Sequence, residues 1–361
     1  MQAVILAAGK STRTYPLTLT KPKPLLKVAN KAILEHNLEA IKDTAEEIII
    51  VAGYKKDMLE EFILKNYPKL KIKFVEQQEQ LGTGNAVSIL KNHIKDRFIL
   101  LMGDNIYLKK DIDEIIKHKY SILVTKVKNP ELFGVVIEKN NILIDIIEKP
   151  KKFISNLVSC ALFSLDKNIF NFLEKPKKSK RGEYELTDAI KEISRSDKVY
   201  CIKTNSCFQI SYPWDLLSAD QELRKSSKIK DFWDTKNPKD FFVNRNIIGK
   251  NSKIYGNVKN SSIGNNCIIK GNIKNSIIMD NAIIDKNSII ENSVIGENVY
   301  FKGTIFAKNN VYSIVKDKKI KIKRLGAIIA DNVKAENVTI DAGCKIWPNK
   351  RIKGIIKNDI N

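Results

Sequence analysis

The stretch Leu6-Ala7-Ala8-Gly9-Lys10-Ser11-Thr12-Arg13, followed by Pro16-Leu17-Thr18 and Lys21-Pro22-Lys23-Pro24-Leu25-Leu26, gathers small residues and fixed cations. A small-residue loop lets backbone N–H groups approach phosphate oxygens, and Arg13 with Lys23 brings two cations to the same place. The GxxxxGK[ST] spacing of a P-loop is absent. Taken alone, the loop reads equally well as a glycine turn flanked by surface lysines. Other groups argue for chemistry. Gln77 and Leu81-Gly82-Thr83-Gly84-Asn85-Ala86 supply a second glycine-rich turn before a helix, able to hydrogen-bond a base edge and pack flat on a nucleoside. Gly103-Asp104-Asn105 sets a carboxylate at a strand end, where it can hold Mg²⁺ between phosphates. Phe133-Gly134-Val135-Val136 and Glu148-Lys149-Pro150 add a glycine strand and an acid/lysine pair suited to sugar hydroxyls and a sugar phosphate.

Such groups need strands that end where they begin. From residue 1 to about 225, short β-branched runs (Ala3–Ala8, Ile48–Val51, Ile72–Val75, Phe98–Met102) alternate with amphipathic segments (Ile33 to Ile41, Met58 to Leu64, Ala86 to Leu90). This βαβ series predicts an α/β, Rossmann-like domain with a mostly parallel sheet covered on both faces. Ligands of such sheets sit at the carboxyl ends of the strands, and Gly9, Gln77 and Asp104 directly follow three of the runs.

After a helical stretch, Trp214 to Arg224, the composition shifts. Lys225–Asn246 reads as a linker with an aromatic anchor at Phe232, Trp233, Phe241 and Phe242. Beyond it, apolar residues recur six apart at Ile248 and Ile254, Ile263 and Ile269, Ile278 and Ile284, then Ile295 and Phe301, each followed four later by a small or β-branched residue. Gly, Asn and Asp fill the corners. That period predicts a parallel β-helix of hexapeptide turns and excludes an amphipathic helix. The repeat lapses over a Lys-rich excursion between Ala307 and Leu325 and resumes at Ile329, Val333, Ile340, Cys344 and Ile346. Trp347 to Asn361 is expected to leave the coil and cap it. The expected domains are 1–225, a linker over 226–246, and 247–361.

The chain of 361 residues is 43% apolar and has no run near the ~20 residues of a membrane span. Its start, MQAVILAAGK, lacks the basic flank and cleavage site of a signal peptide, so a soluble cytoplasmic protein without a membrane partner is expected. Five cysteines form no CxxC pair and fit a reducing compartment, and the three histidines show no zinc-ligand spacing. The net charge of +22 comes from Lys spread along the whole chain with no aromatic interleaving, which argues for compositional bias and against a nucleic-acid partner.

The motifs LAAGKSTR, PLT, KPKPLL, Gln77 with LGTG, GDN, FGVV, EKP, SNL at Ser155–Leu157, GEYELTDAI at Gly182–Ile190 and PWDLL at Pro213–Leu217 stand in that order. In them the chain resembles the sugar-1-phosphate nucleotidylyltransferases, specifically glucose-1-phosphate thymidylyltransferases and N-acetylglucosamine-1-phosphate uridyltransferases. With the repeats it is similar to archaeal two-domain members that carry a left-handed β-helix. The resemblance implies in-line attack of a sugar-1-phosphate oxygen on the α-phosphate of UTP or dTTP, with Mg²⁺ as cofactor and pyrophosphate leaving. It assigns Arg13 to the triphosphate and the leaving group and Lys23 to the phosphates in the transition state. Leu6, Ala8, Gly9, Ser11, Thr12, Gln77, Gly82 and Thr83 become nucleotide contacts, Gln77 reading the pyrimidine edge. Gly134, Glu148, Lys149 and Ser159 become sugar-phosphate contacts, and Asp104 and Gln209 metal ligands. A homo-oligomer, trimer or higher, through the β-helix is also implied.

Departures cluster on the sugar and metal side. The family pattern Trp-x-Asp-x-Gly is here Cys207-Phe208-Gln209-Ile210-Ser211, so Gln209 replaces the second metal carboxylate with a neutral carbonyl. Ser159-Cys160-Ala161 departs too, where family members often have Asn/Val, Ala/Thr and Gly, and Ala161 is expected to narrow the sugar pocket. The alternatives are a catalytically weakened regulatory or scaffold paralogue and a bifunctional enzyme whose β-helix acetylates an amino sugar. The second would be expected to use a His base, and no His lies beyond His118.

Overall fold

Each run read as a strand in the first hundred residues forms one: β1 (Gln2–Ala7), β2 (Glu47–Ala52), β3 (Ile72–Glu76) and β4 (Arg97–Met102). They are followed by β5 (Ser121–Lys126), β6 (Gly134–Lys139), β7 (Ile142–Glu148), β8 (Leu157–Asp166) and β9 (Tyr200–Lys203). The computed structural model describes residues 1–174, 178–179, 182–225, 242–243 and 245–361. By their contacts these divide into two units, Met1–Lys10 with Leu34–Gln209 and Ser11–Ile33 with Ile210–Asn361.

In the first unit the strands make one sheet in the order β3-β2-β1-β4-β8-β5-β9-β7-β6. β3, β2, β1 and β4 are mutually parallel, as is β5 with β9, while β8 runs antiparallel to both β4 and β5. The helices are α1 (Ile33–Ile41), α2 (Lys56–Asn66), α3 (Thr83–Ser88), α4 (Lys109–Ile115), α5 (Ile169–Leu173) and α6 (Leu186–Ser196). α6 buries Leu186, Ala189, Ile190 and Ile193, an i, i+3, i+4, i+7 stripe that joins the core of Val4, Ile49, Leu100 and Phe163. Strands buried on both faces read as continuous apolar runs, which is why β1, β2 and β4 were legible.

The second unit holds α7 (Asp215–Lys225) and the repeats. Successive coils pair in parallel at a spacing of 15 residues on three faces: Ile247 with Ser262 and Ser262 with Ile277, Lys253 with Ile268 and Ile268 with Ile283, Asn257 with Asn272. The next step is 17 residues, as in Ile277 with Val294. Ile263, Ile269, Ile278, Ile284, Ile295 and Phe301 point into one core with Cys267, Ala282 and Val299. Ile254 is 37% exposed because it lies on the first coil, which has a neighbour on one side only.

Corner residues Asn251, Asn266, Asn281, Asn298, Asn332 and Asn349 all adopt left-handed backbone, which Asn tolerates better than other side chains. Their amides donate in sequence from each coil to the next, a ladder that pins the register. The Lys-rich excursion is an antiparallel hairpin, Lys308–Val315 with Lys318–Leu325, turning at Lys316 and Asp317 with positive φ. Trp347 to Asn361 does not leave the coil as expected. Arg351–Ile356 pairs in parallel with Lys334–Ile340, and Ile360 bridges to Ile346, because Ile352 and Ile356 still find the inward face open. Of the expected linker, 226–241 and 244 lie outside the described residues, and with them Phe232, Trp233 and Phe241. Phe242–Val243 pairs antiparallel with Asn246–Ile247.

Candidate active site

In the first unit the parallel register gathers the expected residues at one edge. Ala7 pairs with Ala52, Ala52 with Glu76, and Leu6 with Met102, so Ala8 and Gly9, Gln77 and Asp104 follow the last paired residues of adjacent strands. Gln80 spans the first loop, its amide donating to the Ala8 carbonyl at 2.9 Å and its oxygen accepting from Lys10 N–H at 3.4 Å. A Cβ on Gly9 would meet nothing within 4 Å, so packing does not demand glycine there and its open side faces free space.

Gln77 is buried, and its amide nitrogen donates to Asn85 Oδ1 at 2.8 Å. That commitment orients the side chain and leaves Oε1 as the group it can offer a base. The second glycine turn is fastened from across the chain. Gly84 N–H donates to the Tyr184 carbonyl, Tyr184 N–H to the Leu81 carbonyl, and Leu186 N–H to Thr83 Oγ1. Gly82 has φ +112°, and a Cβ there would stand 2.6 Å from the Tyr184 carbonyl oxygen, so no other residue fits.

On the other side of the edge, Gly134 pairs with Glu148 and Val135 with Val158, which places Ser159 in the next register position. Glu148 and Lys149 form an ion pair at 3.0 Å, and Lys149 adopts φ +45°. A Cβ on Gly134 would lie 3.1 Å from Glu148 Oε2 and 3.5 Å from the Thr187 methyl. Thr187 Oγ1 is buried without a hydrogen-bond partner. Burial, and after it the Glu185 charge, pushes the Asp188 carboxyl up.

Ser159 Oγ accepts from Ala161 N–H at 3.0 Å inside a bulge where the β8–β5 register shifts, and Ala161 has φ +55°. The Tyr107 hydroxyl meets the Cys160 and Ala161 carbonyls, each at 2.9 Å, and Asn105 Nδ2 donates to the Cys160 carbonyl at 3.1 Å. The bulge is thereby tied to the strand end that carries Asp104.

Phe208–Gln209 pairs antiparallel with Asn105–Ile106, Gln209 opposite Asn105 and so one residue from Asp104. Gln209 Oε1 is buried with no hydrogen-bond partner. A buried amide oxygen left unpaired beside a carboxylate strand end fits a hard divalent cation, which takes oxygen ligands and keeps some of its water. Among the described residues no group of three or more His, Cys, Asp or Glu could hold a metal, so a cation here would rest on one carboxylate, one amide, substrate oxygens and water.

Ser11, Thr12, Arg13 and Lys23 fall in the second unit. Ser11 is left-handed at φ 51°, and its carbonyl accepts from Thr14 N–H, Thr14 Oγ1 and Thr18 Oγ1, which closes the turn carrying Arg13. The exposed Arg13 guanidinium lies 6.0 Å from the Tyr212 ring centroid, and Tyr212 stacks on Trp214. Lys23 is only 3% exposed. Asp215, the first residue of α7, reaches back to accept from Ser211 and Tyr212 N–H at 2.8 Å each and so ties the preceding turn to the helix. Burial pushes its carboxyl up, against those two hydrogen bonds and the Lys23 and Arg13 charges.

Sequence reasoning missed four of these residues. Asp215 and Thr187 stand inside the quoted PWDLL and GEYELTDAI motifs, so a signal existed, whereas Gln80 and Tyr107 lie beside motifs with nothing in their spacing to mark them.

Comparison with known proteins shows the family of the chain. Residues 2–242 match the model of the family described as Nucleotidyl transferase, and 244–332 match the one described as GlmU-like, C-terminal hexapeptide. The chain belongs to the nucleotidyl transferase family. Like the family's members, it is a transferase of nucleotidyl groups, here followed by a hexapeptide domain. It is 38% identical to a bifunctional protein GlmU of Methanococcus maripaludis across 100% of this chain and 95% of that one. It is 44% identical to the bifunctional protein GlmU of Methanocaldococcus jannaschii over 62% of this chain, spanning 54% of the relative's length. A UTP–glucose-1-phosphate uridylyltransferase, AglF, of Haloferax volcanii is 34% identical over 63% of this chain and 98% of its own. The fold of the nucleotidyltransferase region also matches a solved UDP-glucose pyrophosphorylase at a TM-score of 0.56 and 21% identity, covering 62% of this chain and 98% of that one. Among the described residues no helix is long and apolar enough to cross a membrane.

Proposed function

We propose that the chain joins a pyrimidine nucleoside triphosphate, UTP or dTTP, to a hexose-1-phosphate, giving the nucleotide sugar and pyrophosphate. The observation that carries this reading is the unpaired, buried Gln209 oxygen one register position from Asp104, on a sheet edge whose neighbouring strand ends present Gly9 and Gln77. A sugar-1-phosphate oxygen forms the new bond to the α-phosphorus, and the bond to the pyrophosphate oxygen breaks. The protein contributes alignment and charge stabilisation. Leu6, Ala8, Gly9, Ser11, Thr12, Gly82 and Thr83 supply the nucleotide contacts. Gln77 Oε1 accepts from the N3–H that uracil and thymine carry and cytosine lacks. Arg13 and Lys23 stabilise phosphate charge, and Gly134, Glu148, Lys149 and Ser159 hold the sugar phosphate. Asp104 and Gln209 would hold Mg²⁺, which when bound neutralises phosphate charge as the leaving group departs.

Catalysis is assigned to 1–225, connection to 226–246, and assembly of a homo-oligomer to 247–361. A relative of Sulfurisphaera tokodaii, 34% identical over 61% of this chain and named a bifunctional sugar-1-phosphate nucleotidylyltransferase/acetyltransferase, raises acetyl transfer as a second activity. The hexapeptide segment of this chain carries no His to act as a base near neutral pH, so the reading excludes it. The test is pyrophosphate release across a matrix of nucleoside triphosphates and sugar-1-phosphates with Mg²⁺, and CoA release from acetyl-CoA with glucosamine-1-phosphate. Turnover with UTP or dTTP and silence with acetyl-CoA are expected. No pyrophosphate with any pair would leave the regulatory-paralogue reading standing instead.

A further inference from the structure

The loop that carries Arg13 and Lys23 makes its ion pairs with one corner of the β-helix. The register Ile278 to Ile295 to Ile329 sets Asp280, Glu297 and Asp331 two residues later at the same corner of three consecutive coils. Three stacked carboxylates at the ~4.8 Å spacing of neighbouring strands repel one another unless cations reach them. The loop supplies those cations. Lys21 Nζ lies 2.6 Å from Glu297 and 3.1 Å from Asp331, with the Lys21 and Asp331 side chains each 7% exposed. Lys27 Nζ pairs with Asp280, and Thr20 Oγ1 donates to Asp331 Oδ2 at 2.6 Å.

Asp331 Oδ1 accepts from Glu297 N–H at 2.7 Å and Asp280 Oδ1 from Asn265 N–H at 2.9 Å, so each carboxylate is anchored by the preceding coil while its Oδ2 meets the loop. Asp220 of α7 completes the arrangement, accepting from Ala29 N–H at 2.9 Å and from the Ser262 hydroxyl at 2.6 Å while paired with Arg224 at 2.7 Å. Lys21 and Lys27 flank Lys23, whose own side chain is buried.

The geometry points to the acidic corner column, Asp280, Glu297 and Asp331, as a set of positioning residues that hold the phosphate-binding loop in its working conformation. The β-helix then contributes to nucleotidyl transfer through Lys21 and Lys27 and is more than an assembly domain. This rests on the assignment of Arg13 and Lys23 to the triphosphate.

The test uses the full chain. Asp331→Asn keeps an oxygen for the Glu297 N–H but removes the charge that faces Lys21, and Lys21→Met removes the cation from the loop side. Asp341→Asn, in the same β-helix but paired with Lys308, is the control. In both Asp331→Asn and Lys21→Met, assayed well below the melting transition, KM for the nucleoside triphosphate should rise about tenfold and kcat should fall, while KM for the sugar-1-phosphate stays close to wild type. The double variant should be no worse than either single one. Amide exchange over residues 12–26 should quicken in both variants, whatever the activity. Wild-type kinetics and exchange in both would overturn the inference, as would losses that track melting temperature or recur in Asp341→Asn. An inactive wild type whose exchange still responds would sink the functional reading and leave the mounting role in place.

Discussion

Gly134→Ala offers the sharpest test of the sugar side. The added Cβ would stand 3.1 Å from Glu148 Oε2 and 3.5 Å from the Thr187 methyl, where ordinary contact begins near 3.4 Å. The carboxylate must therefore retreat by a few tenths of an ångström. Glu148 cannot move alone, because Lys149 is paired with it at 3.0 Å and is held by a backbone bond from its own N–H to the Phe133 carbonyl. Gly134 is not among the positive-φ positions, so alanine meets no backbone strain and the fold should survive. A misplacement of 1 Å costs up to ~10²-fold, so a shift of this size should lower kcat/KM for the sugar-1-phosphate roughly three- to tenfold. The assay is pyrophosphate release with the sugar-1-phosphate varied at saturating triphosphate, then the reverse, on protein checked by circular dichroism. The loss should appear only when the sugar-1-phosphate is varied. An unchanged sugar-1-phosphate curve, or equal losses in both titrations, would refute the placement of Gly134 and Glu148 on the sugar.

Further expectations follow from the other groups. Gln209→Glu, which keeps the length of the side chain, should lower the half-saturating Mg²⁺ concentration about tenfold because a carboxylate binds this cation more strongly than an amide; an unmoved titration would place Gln209 outside the metal shell. Arg13→Ala and Lys23→Ala should each cut turnover by ~10²-fold or more through lost transition-state charge stabilisation, and near-wild-type rates in both would remove them from the chemistry. Gln77→Ala should erode the preference for UTP over CTP, measured as a ratio of kcat/KM, and an intact ratio would mean that another group reads the base. Asp215 has a raised folded-state pKa, so its contribution to stability is greatest below the ordinary carboxylate range and is lost as pH climbs through the raised value. Asp215→Asn should therefore melt higher than wild type near pH 7 and converge with it toward about pH 4, whereas a constant offset across that range would contradict the assignment.

The strands and their ends were legible because burial on both faces writes continuous β-branched runs, and the corners of the coil because Asn and Gly mark left-handed turns. The bulge at Cys160 and Ala161 was not. Its register shift is enforced by Tyr107 and Asn105 from another strand, and neither residue differs in type from an ordinary core or turn residue. The end of the coil was misread for a related reason. Trp347, Pro348 and Asn349 interrupt the apolar period, yet Asn349 is the last rung of the asparagine ladder and the strand resumes two residues later.

Lys21 and Lys27 show most clearly where sequence reading stops. In sequence they sit beside Lys23 in a run of lysines and prolines with nothing to separate the three roles. Their partners lie hundreds of residues on, Asp331 being 311 positions from Thr20. What separates them is the geometry of the coil. Two coil steps from Asp280 to Asp331 span about 10 Å, well within the ~20 Å that the six residues from Lys21 to Lys27 could reach fully extended. The slack is taken up by the single turn at Lys23–Leu25. A repeat that places one residue per coil at a fixed corner can thus present charges at a constant interval, and a loop with basic residues six apart can bridge them while the residue between stays buried.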